Sequence, residues 1–130
     1  MSEAAARDFA SCAQIARANA KNFYYAFAIL PRPRREAMYA VYAFCRRADD
    51  IVDEPGPAEA KREALASYRA ALDAAFDGRP EGPVFRALSA TVRRYGLARE
   101  HLAHVIEGCE MDLERNRYET FDALARYSVR

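Results

Sequence analysis

The stretch Tyr42-Ala-Phe-Cys-Arg46-Arg-Ala-Asp49-Asp50-Ile-Val-Asp53-Glu54 decides the reading of this chain. Wound at 3.6 residues per turn, Tyr42, Arg46, Asp49 and Asp53 fall on one face, at i, i+4, i+7 and i+11. Ala40, Val41, Ala43, Phe44, Ile51 and Val52 surround that face with apolar side chains, so the helix is expected to be largely buried. Asp49 and Asp53 are one turn apart, which sets their carboxylates about 6 Å from each other. Two like charges at that spacing repel by a few tenths of a kcal/mol in an exposed helix, and buried carboxylates without partners cost more. A hard divalent cation offsets both penalties. Mg²⁺ takes one or two carboxylates, keeps several waters and completes its shell with substrate phosphate oxygens. Arg46 adds a planar fork of donors suited to phosphate, and Tyr42 adds a hydroxyl. The stripe therefore reads as a Mg²⁺–diphosphate cradle, and the spacing taken alone also fits a solvated helix face.

Working outward, the helix is expected from about Arg34 to Glu54, stopped by Pro55-Gly-Pro57. Upstream lie a segment from about Arg7 to Ala20, with Phe9, Cys12, Ile15 and Ala16 at helical spacing, and a short apolar stretch, Phe23 to Leu30, closed by Pro31 and Pro33. Downstream, Leu65, Tyr68, Leu72 and Phe76 form a core stripe on a helix from about Ala58 to Phe76. Gly78 to Pro83 is a turn, with Pro83 suited to the first turn of a helix that ends near Gly96. A helix from Arg99 to Leu113, a loop from Glu114 to Glu119 and a last helix from Thr120 complete the reading. Ala, Leu, Arg and Glu dominate and no useful length alternates with period two, so the fold class is all-α.

Composition narrows the function. A chain of 130 residues, 52% hydrophobic and 30% charged, makes one domain at most, with enough apolar material for a core. A net charge of +1 disfavours a nucleic-acid binder. The longest apolar run, Ala37 to Cys45, is about half of the roughly 20 residues that a membrane span needs, and the N-terminus lacks the apolar core of a secretory signal. Cys12, Cys45 and Cys109 are odd in number and contain no CxxC pair, which fits a reducing cytoplasm and suggests neither a disulfide framework nor a zinc site.

Four other features are discounted. Asp73 and Asp77 repeat the carboxylate spacing without an Arg and a Tyr on their face, and read as a solvated helix end. His101 and His104 lack a third ligand at a recognisable spacing. Glu110 and Glu114 read as solvated. Arg32, Arg34 and Arg35 read as a solvated helix start, with steering of an anionic substrate or contact with lipid headgroups as the alternative.

Phe23-Tyr-Tyr-Ala-Phe27, Leu30-Pro31, Arg35, Ala40-Val-Tyr-Ala-Phe-Cys-Arg46 and Asp49-Asp-Ile-Val-Asp53, followed in order by Gly108-x-x-x-Asp112-Leu, Arg117-Tyr-x-Thr-Phe121 and Leu124-x-x-Tyr127, resemble the squalene/phytoene synthase family. The match runs from about Gln14 to Arg130. Asn22-Phe-Tyr-Tyr and Arg117-Tyr-Glu-Thr-Phe are most similar to the bacterial presqualene diphosphate synthases of hopanoid biosynthesis. The resemblance implies an all-α, isoprenoid-synthase-type helical bundle and a cytoplasmic enzyme that condenses two farnesyl diphosphates head to head and touches a membrane peripherally for product release. It assigns Mg²⁺ to Asp49 and Asp53, catalytic roles to these two and Tyr42, and diphosphate contacts to Arg46, Tyr42 and Asn22. It places Phe23, Tyr24, Phe27, Gly108 and Asp112 along the prenyl cavity. The family carries a second aspartate-rich motif that this chain lacks. The last apolar stripe, Phe121, Leu124 and Tyr127, also ends without a cap. Residues 1–130 are therefore expected to be the N-terminal part of a single domain, inactive alone. The alternatives are a phytoene synthase acting on two geranylgeranyl diphosphates and a non-catalytic helical remnant that binds prenyl lipids.

Overall fold

The computed structural model describes the backbone of residues 2–128 and the side chains of residues 2–22 and 24–115. Among the described residues six helices follow one another: α1 (Glu3–Asn19), α2 (Lys21–Ala28), α3 (Arg32–Asp53), α4 (Ala58–Phe76), α5 (Gly82–Tyr95) and α6 (Arg99–Ser128). The all-α expectation holds. The α3 helix packs against each of the other five and is the hub of the bundle.

The boundaries follow local chemistry. Helix α1 starts four residues earlier than its apolar spacing suggests, because the Ser2 hydroxyl accepts the Ala5 N–H at 3.1 Å and caps it. Helix α3 starts at Arg32 rather than Arg34, since Pro33 is tolerated in a first turn whose N–H groups have no helical partner. Helix α5 begins with Gly82-Pro83 and ends at Gly96, whose φ of +68° suits the left-handed closing position. The expected loop from Glu114 to Glu119 is absent: α6 passes straight through, as no Gly or Pro in that stretch breaks it.

The core is centred on three rings. Phe44 is fully buried on α3, stacked on Tyr68 of α4 at 5.2 Å between centroids and edge-on to Phe85 of α5 at 6.0 Å. The Tyr68 hydroxyl donates to the Phe44 carbonyl oxygen at 2.7 Å, so its polar end is satisfied inside the core. Leu65, Leu72, Leu88 and Ile106 close around the rings. Asp8 of α1, itself buried, accepts two hydrogen bonds from Arg86 of α5, each 3.0 Å, and ties the outer helices together.

Truncating Phe44→Ala should cost about 3–5 kcal/mol of unfolding free energy by leaving a cavity where the three helices meet. Tyr68→Phe should cost about 1 kcal/mol, the worth of one hydrogen bond. Urea unfolding checks the order, and equal losses would contradict this account of the core. Burial also pushes the Cys12 thiol up to about 12 and raises the Tyr68 phenol. The unfolded chain ionises these groups first, near 9.0 and 10.0, so the stability they contribute is whole below about pH 9 and declines as pH rises through the folded values. The urea midpoint should therefore be lower at about pH 10 than at about pH 8.

Candidate active site

Burying Phe44 fixes the rotation of α3. At about 100° per residue, Tyr42, Arg46, Asp49 and Asp53 lie roughly 140–180° around the axis from Phe44. The core thus turns the polar stripe away from α4 and α5. Tyr42 and Arg46 are half-buried, whereas Asp49 and Asp53 are exposed. The apolar flank is buried as expected at Ala40, Ala43, Phe44 and Val52 and half-buried at Val41 and Ile51. Burial does not extend to the two carboxylates, because among the described residues α6 meets the stripe only at one edge, where Cys109 reaches Asp49, and both carboxylates are otherwise open to solvent.

Arg46 Nε lies 3.0 Å from Asp50 Oδ1, so its ion pair is with Asp50 and not with the stripe. The contact is off the N–H direction, and Nε–H is buried without a hydrogen-bond acceptor. Asp49 meets α6: the Cys109 thiol donates to Asp49 Oδ1 at 3.6 Å. Burial, then the negative charge of Asp49 and its hydrogen bond, and then Asp112 push that thiol up to about 12. Asp112 is exposed on α6, one turn beyond Cys109, near enough for its charge to act on the same thiol. Helices α3 and α6 thereby bring Asp49 and Asp112, far apart in sequence, to one region. Gly108 is exposed, and a Cβ there would meet nothing within 4 Å, so this face of α6 is open.

On the other side of the stripe, Tyr24 of α2 stacks on Tyr39 of α3 at 5.5 Å, and Phe27 meets the same ring edge-on at 5.9 Å. Tyr39 donates to the Tyr24 carbonyl oxygen at 3.2 Å. Asn22 is exposed near the start of α2, and the side chain of Phe23 lies outside the described residues. At the far end of α3, Lys61 donates to the Val52 carbonyl oxygen at 2.7 Å and caps the helix beside Asp53.

The donor set suits one kind of metal. No group of three or more His, Cys, Asp or Glu side chains among the described residues could hold an ion as an all-protein cage. Two exposed carboxylates one turn apart suit an ion that keeps water and shares substrate oxygens, which is the habit of Mg²⁺. Cys109 and Asp50, both in contact with this stripe, were not singled out from sequence. The Cys109 contact spans 60 positions, and no local pattern signals it. Asp50 sits four residues after Arg46, so the i, i+4 rule was the available signal.

The discounted features sit where that reading put them, with added detail. Asp73 and Asp77 are half-exposed and both face Arg99, at 3.8 and 3.5 Å. Glu110 and Glu114 pair with Arg69 and Arg62 of α4 in surface ion pairs. His104 lies 3.9 Å from Glu107, and both histidines are exposed.

The profile of squalene/phytoene synthases matches residues 16–130. The chain belongs to this family. It is 40% identical over 119 residues to a phytoene synthase of Arthrospira platensis, covering 92% of this chain and 38% of the relative. It is 38% identical over 122 residues to the 15-cis-phytoene synthase of Synechococcus elongatus, covering 94% of this chain and 40% of the relative. Among solved structures, the squalene synthase HpnC of Alicyclobacillus acidocaldarius superposes with a TM-score of 0.77 at 34% identity, over 86% of this chain and 42% of that one. A dehydrosqualene synthase crystallised with a ligand gives 0.76 at 34% identity, over 85% and 38%. The fold is thus the isoprenoid-synthase-type helical fold, and the family is one of prenyl-transferring synthases. The chain spans about two-fifths of the length of these relatives.

Asp49→Asn keeps an acceptor for Cys109 but removes the charge that disfavours its thiolate. Cys109 should then react several-fold faster with iodoacetamide at about pH 9, read by mass spectrometry of its peptide. An unchanged rate would assign the whole shift to burial.

Proposed function

We propose that the protein carrying this chain condenses two prenyl diphosphates head to head, with farnesyl diphosphate as substrate and presqualene diphosphate as product. The observation that supports it is the α3 stripe: two exposed carboxylates one turn apart, a half-buried arginine with a spare N–H, and a tyrosine, all on one face of the helix that organises the bundle. Asp49 and Asp53 hold Mg²⁺, and a bound Mg²⁺ supplies electrostatic stabilisation to a leaving diphosphate. Arg46 presents its guanidinium fork to the diphosphate oxygens, helped by the Tyr42 hydroxyl and the Asn22 amide. Phe23, Tyr24 and Phe27 offer ring faces to the allylic cation, worth about 0.5–2 kcal/mol each. Gly108 and Asp112 line the prenyl channel on α6. The open Gly108 position leaves room for an alkyl chain, whose burial contributes about 0.8 kcal/mol per CH₂. Water must be kept from the cation, so the exposed stripe is covered in the working enzyme. No described helix is long and apolar enough to cross a membrane, and release of the amphipathic product, with its long prenyl tails, is through peripheral membrane contact.

A second reading takes geranylgeranyl diphosphate and makes phytoene. The phytoene synthases of Arthrospira platensis and Synechococcus elongatus favour it. The first condensation differs between the two in chain length alone and uses the same α3 chemistry; phytoene forms only when the cyclopropyl diphosphate then loses its remaining diphosphate and a proton.

The test is product analysis. The protein expressed from its complete reading frame, given Mg²⁺ and each substrate separately, should turn farnesyl diphosphate into a cyclopropyl diphosphate. Phytoene formed from the longer substrate alone would replace the first reading by the second, and no condensation product from either would refute both. Asp49→Asn and Asp53→Asn should each lower turnover by about a thousand-fold or more, with an unchanged circular dichroism spectrum. Wild-type rates in both variants would remove the metal assignment.

A further inference from the structure

The N-terminal end of α3, roughly 20 Å along the helix from Asp49, carries a second feature that the prenyl chemistry does not use. A cleft of about 540 Å³ opens there between α1, α3 and α5, lined by Phe9, Arg32, Glu36, Ala37, Arg94 and Tyr95 among others. Glu36 is nine-tenths buried in its wall. One carboxylate oxygen, Oε1, accepts from Arg32 Nε at 2.7 Å. The other, Oε2, is buried with no hydrogen-bond partner. A buried carboxylate oxygen without a donor is costly, and the cleft is where a donor can reach this carboxylate.

A second groove of about 260 Å³ shares Ala37, Thr91 and Tyr95 with the first as a common wall. Its remaining lining is mostly apolar, with Leu30, Met38, Val41 and Leu97. Beside it Ile29 stands 87% exposed at the end of α2, and Met38 and Tyr95 are exposed as well. Among the described residues, Arg34 is the one charged residue in the lining of this groove. The charges have an order. The Arg32 side chain is 68% exposed at the mouth and that of Glu36 12% exposed behind it, so the protein presents a cation outside an anion.

We propose that this paired cleft and groove bind the headgroup and one acyl chain of a phospholipid with a primary ammonium group, of the phosphatidylethanolamine kind. The lipid's phosphate and ammonium complement the Arg32–Glu36 pair in reversed order. Arg32, 68% exposed at the mouth, exchanges its contact with Glu36 for the phosphate, joined by Arg94, and the ammonium takes its place on the Glu36 carboxylate. The acyl chain lies in the apolar groove, and Ile29 enters the interface. A choline headgroup carries the same charges but no N–H, so it leaves Glu36 unsatisfied. The assignment rests on the cleft and stands whether or not the prenyl reading does.

Flotation of the protein expressed from its complete reading frame tests it. The vesicles are pure phosphatidylcholine, an equal mixture of phosphatidylcholine and phosphatidylethanolamine, and an equal mixture of phosphatidylcholine and phosphatidylglycerol. Binding should be roughly ten-fold tighter with ethanolamine lipid than with phosphatidylcholine alone. Glu36→Gln, which keeps the side-chain volume, should abolish that preference. Arg94→Gln, at an exposed position that folding tolerates, should weaken binding to the ethanolamine vesicles. Equal binding to the two zwitterionic compositions, binding only to the phosphatidylglycerol vesicles, a preference that survives in Glu36→Gln, or no binding at all would each overturn the proposal. So would a dimer, seen by sedimentation, whose formation blocks vesicle binding, since it would give the groove to a second copy of the chain.

Discussion

The burial of Phe44 is the constraint on which the rest of the molecule depends. Its ring is held between Tyr68 and Phe85, from two different helices, and its backbone carbonyl accepts the Tyr68 hydroxyl. Contacts from two directions and a hydrogen bond to the main chain leave α3 one rotation about its axis. A helix turned by one residue would move every side chain by about 100° and carry the polar stripe towards the core. Packing on one side of α3 therefore sets the electrostatics on the other.

The stripe is arranged but only partly walled. Tyr24, Phe27 and Tyr39 form an aromatic block on one side, and Cys109 and Asp112 of α6 stand on the other. Within it, the groups that would hold a diphosphate have weak partners: Arg46 has Asp50, off the hydrogen-bond direction, and Asp49 has a thiol. A thiol kept protonated is a weak hydrogen-bond donor, easily displaced from the carboxylate by a stronger donor or a cation. Such loosely held side chains suit a site that exchanges its own contacts for those of an incoming anion and cation.

The apolar spacing of α3, α4 and α5 was legible because their core faces follow the helical period, and Leu65, Tyr68 and Leu72 are buried as that period requires. The boundaries that shifted did so for small, local causes: a serine cap at Ser2 and a proline tolerated in a first turn. The loop placed at Glu114 to Glu119 was a reading of polarity, and polarity without a breaker does not end a helix. In the site, the shared face of Tyr42, Arg46, Asp49 and Asp53 follows from spacing alone. Its degree of burial does not, because that depends on which helices cover it. The Cys109–Asp49 contact depends on how α6 returns across α3, which no window of sequence contains. Asp50 illustrates a different limit, since both Asp49 and Asp50 lie within reach of Arg46 along the chain and only the packed structure chooses between them.

The charge order of α3 explains why burial has to do so much. In α1, Glu3 stands in the first turn and Arg17 in the last, which complements the helix dipole. Helix α3 inverts this order, with Arg32, Arg34 and Arg35 at its positive end, Asp49, Asp50 and Asp53 at its negative end and no compensating charge in either terminal turn. Each misplaced charge costs about 0.3–1 kcal/mol near a helix end. Lys61 relieves one end through the Val52 carbonyl, and the Arg32–Glu36 pair relieves part of the other. The remainder is offset by packing against five helices, about 1.5–3 kcal/mol for each large apolar side chain removed from water. A peripheral helix with this charge order would be frayed by it. The central helix can keep carboxylates near its C-terminal end and guanidinium groups near its N-terminal end, because its stability comes from its neighbours rather than from its own ends.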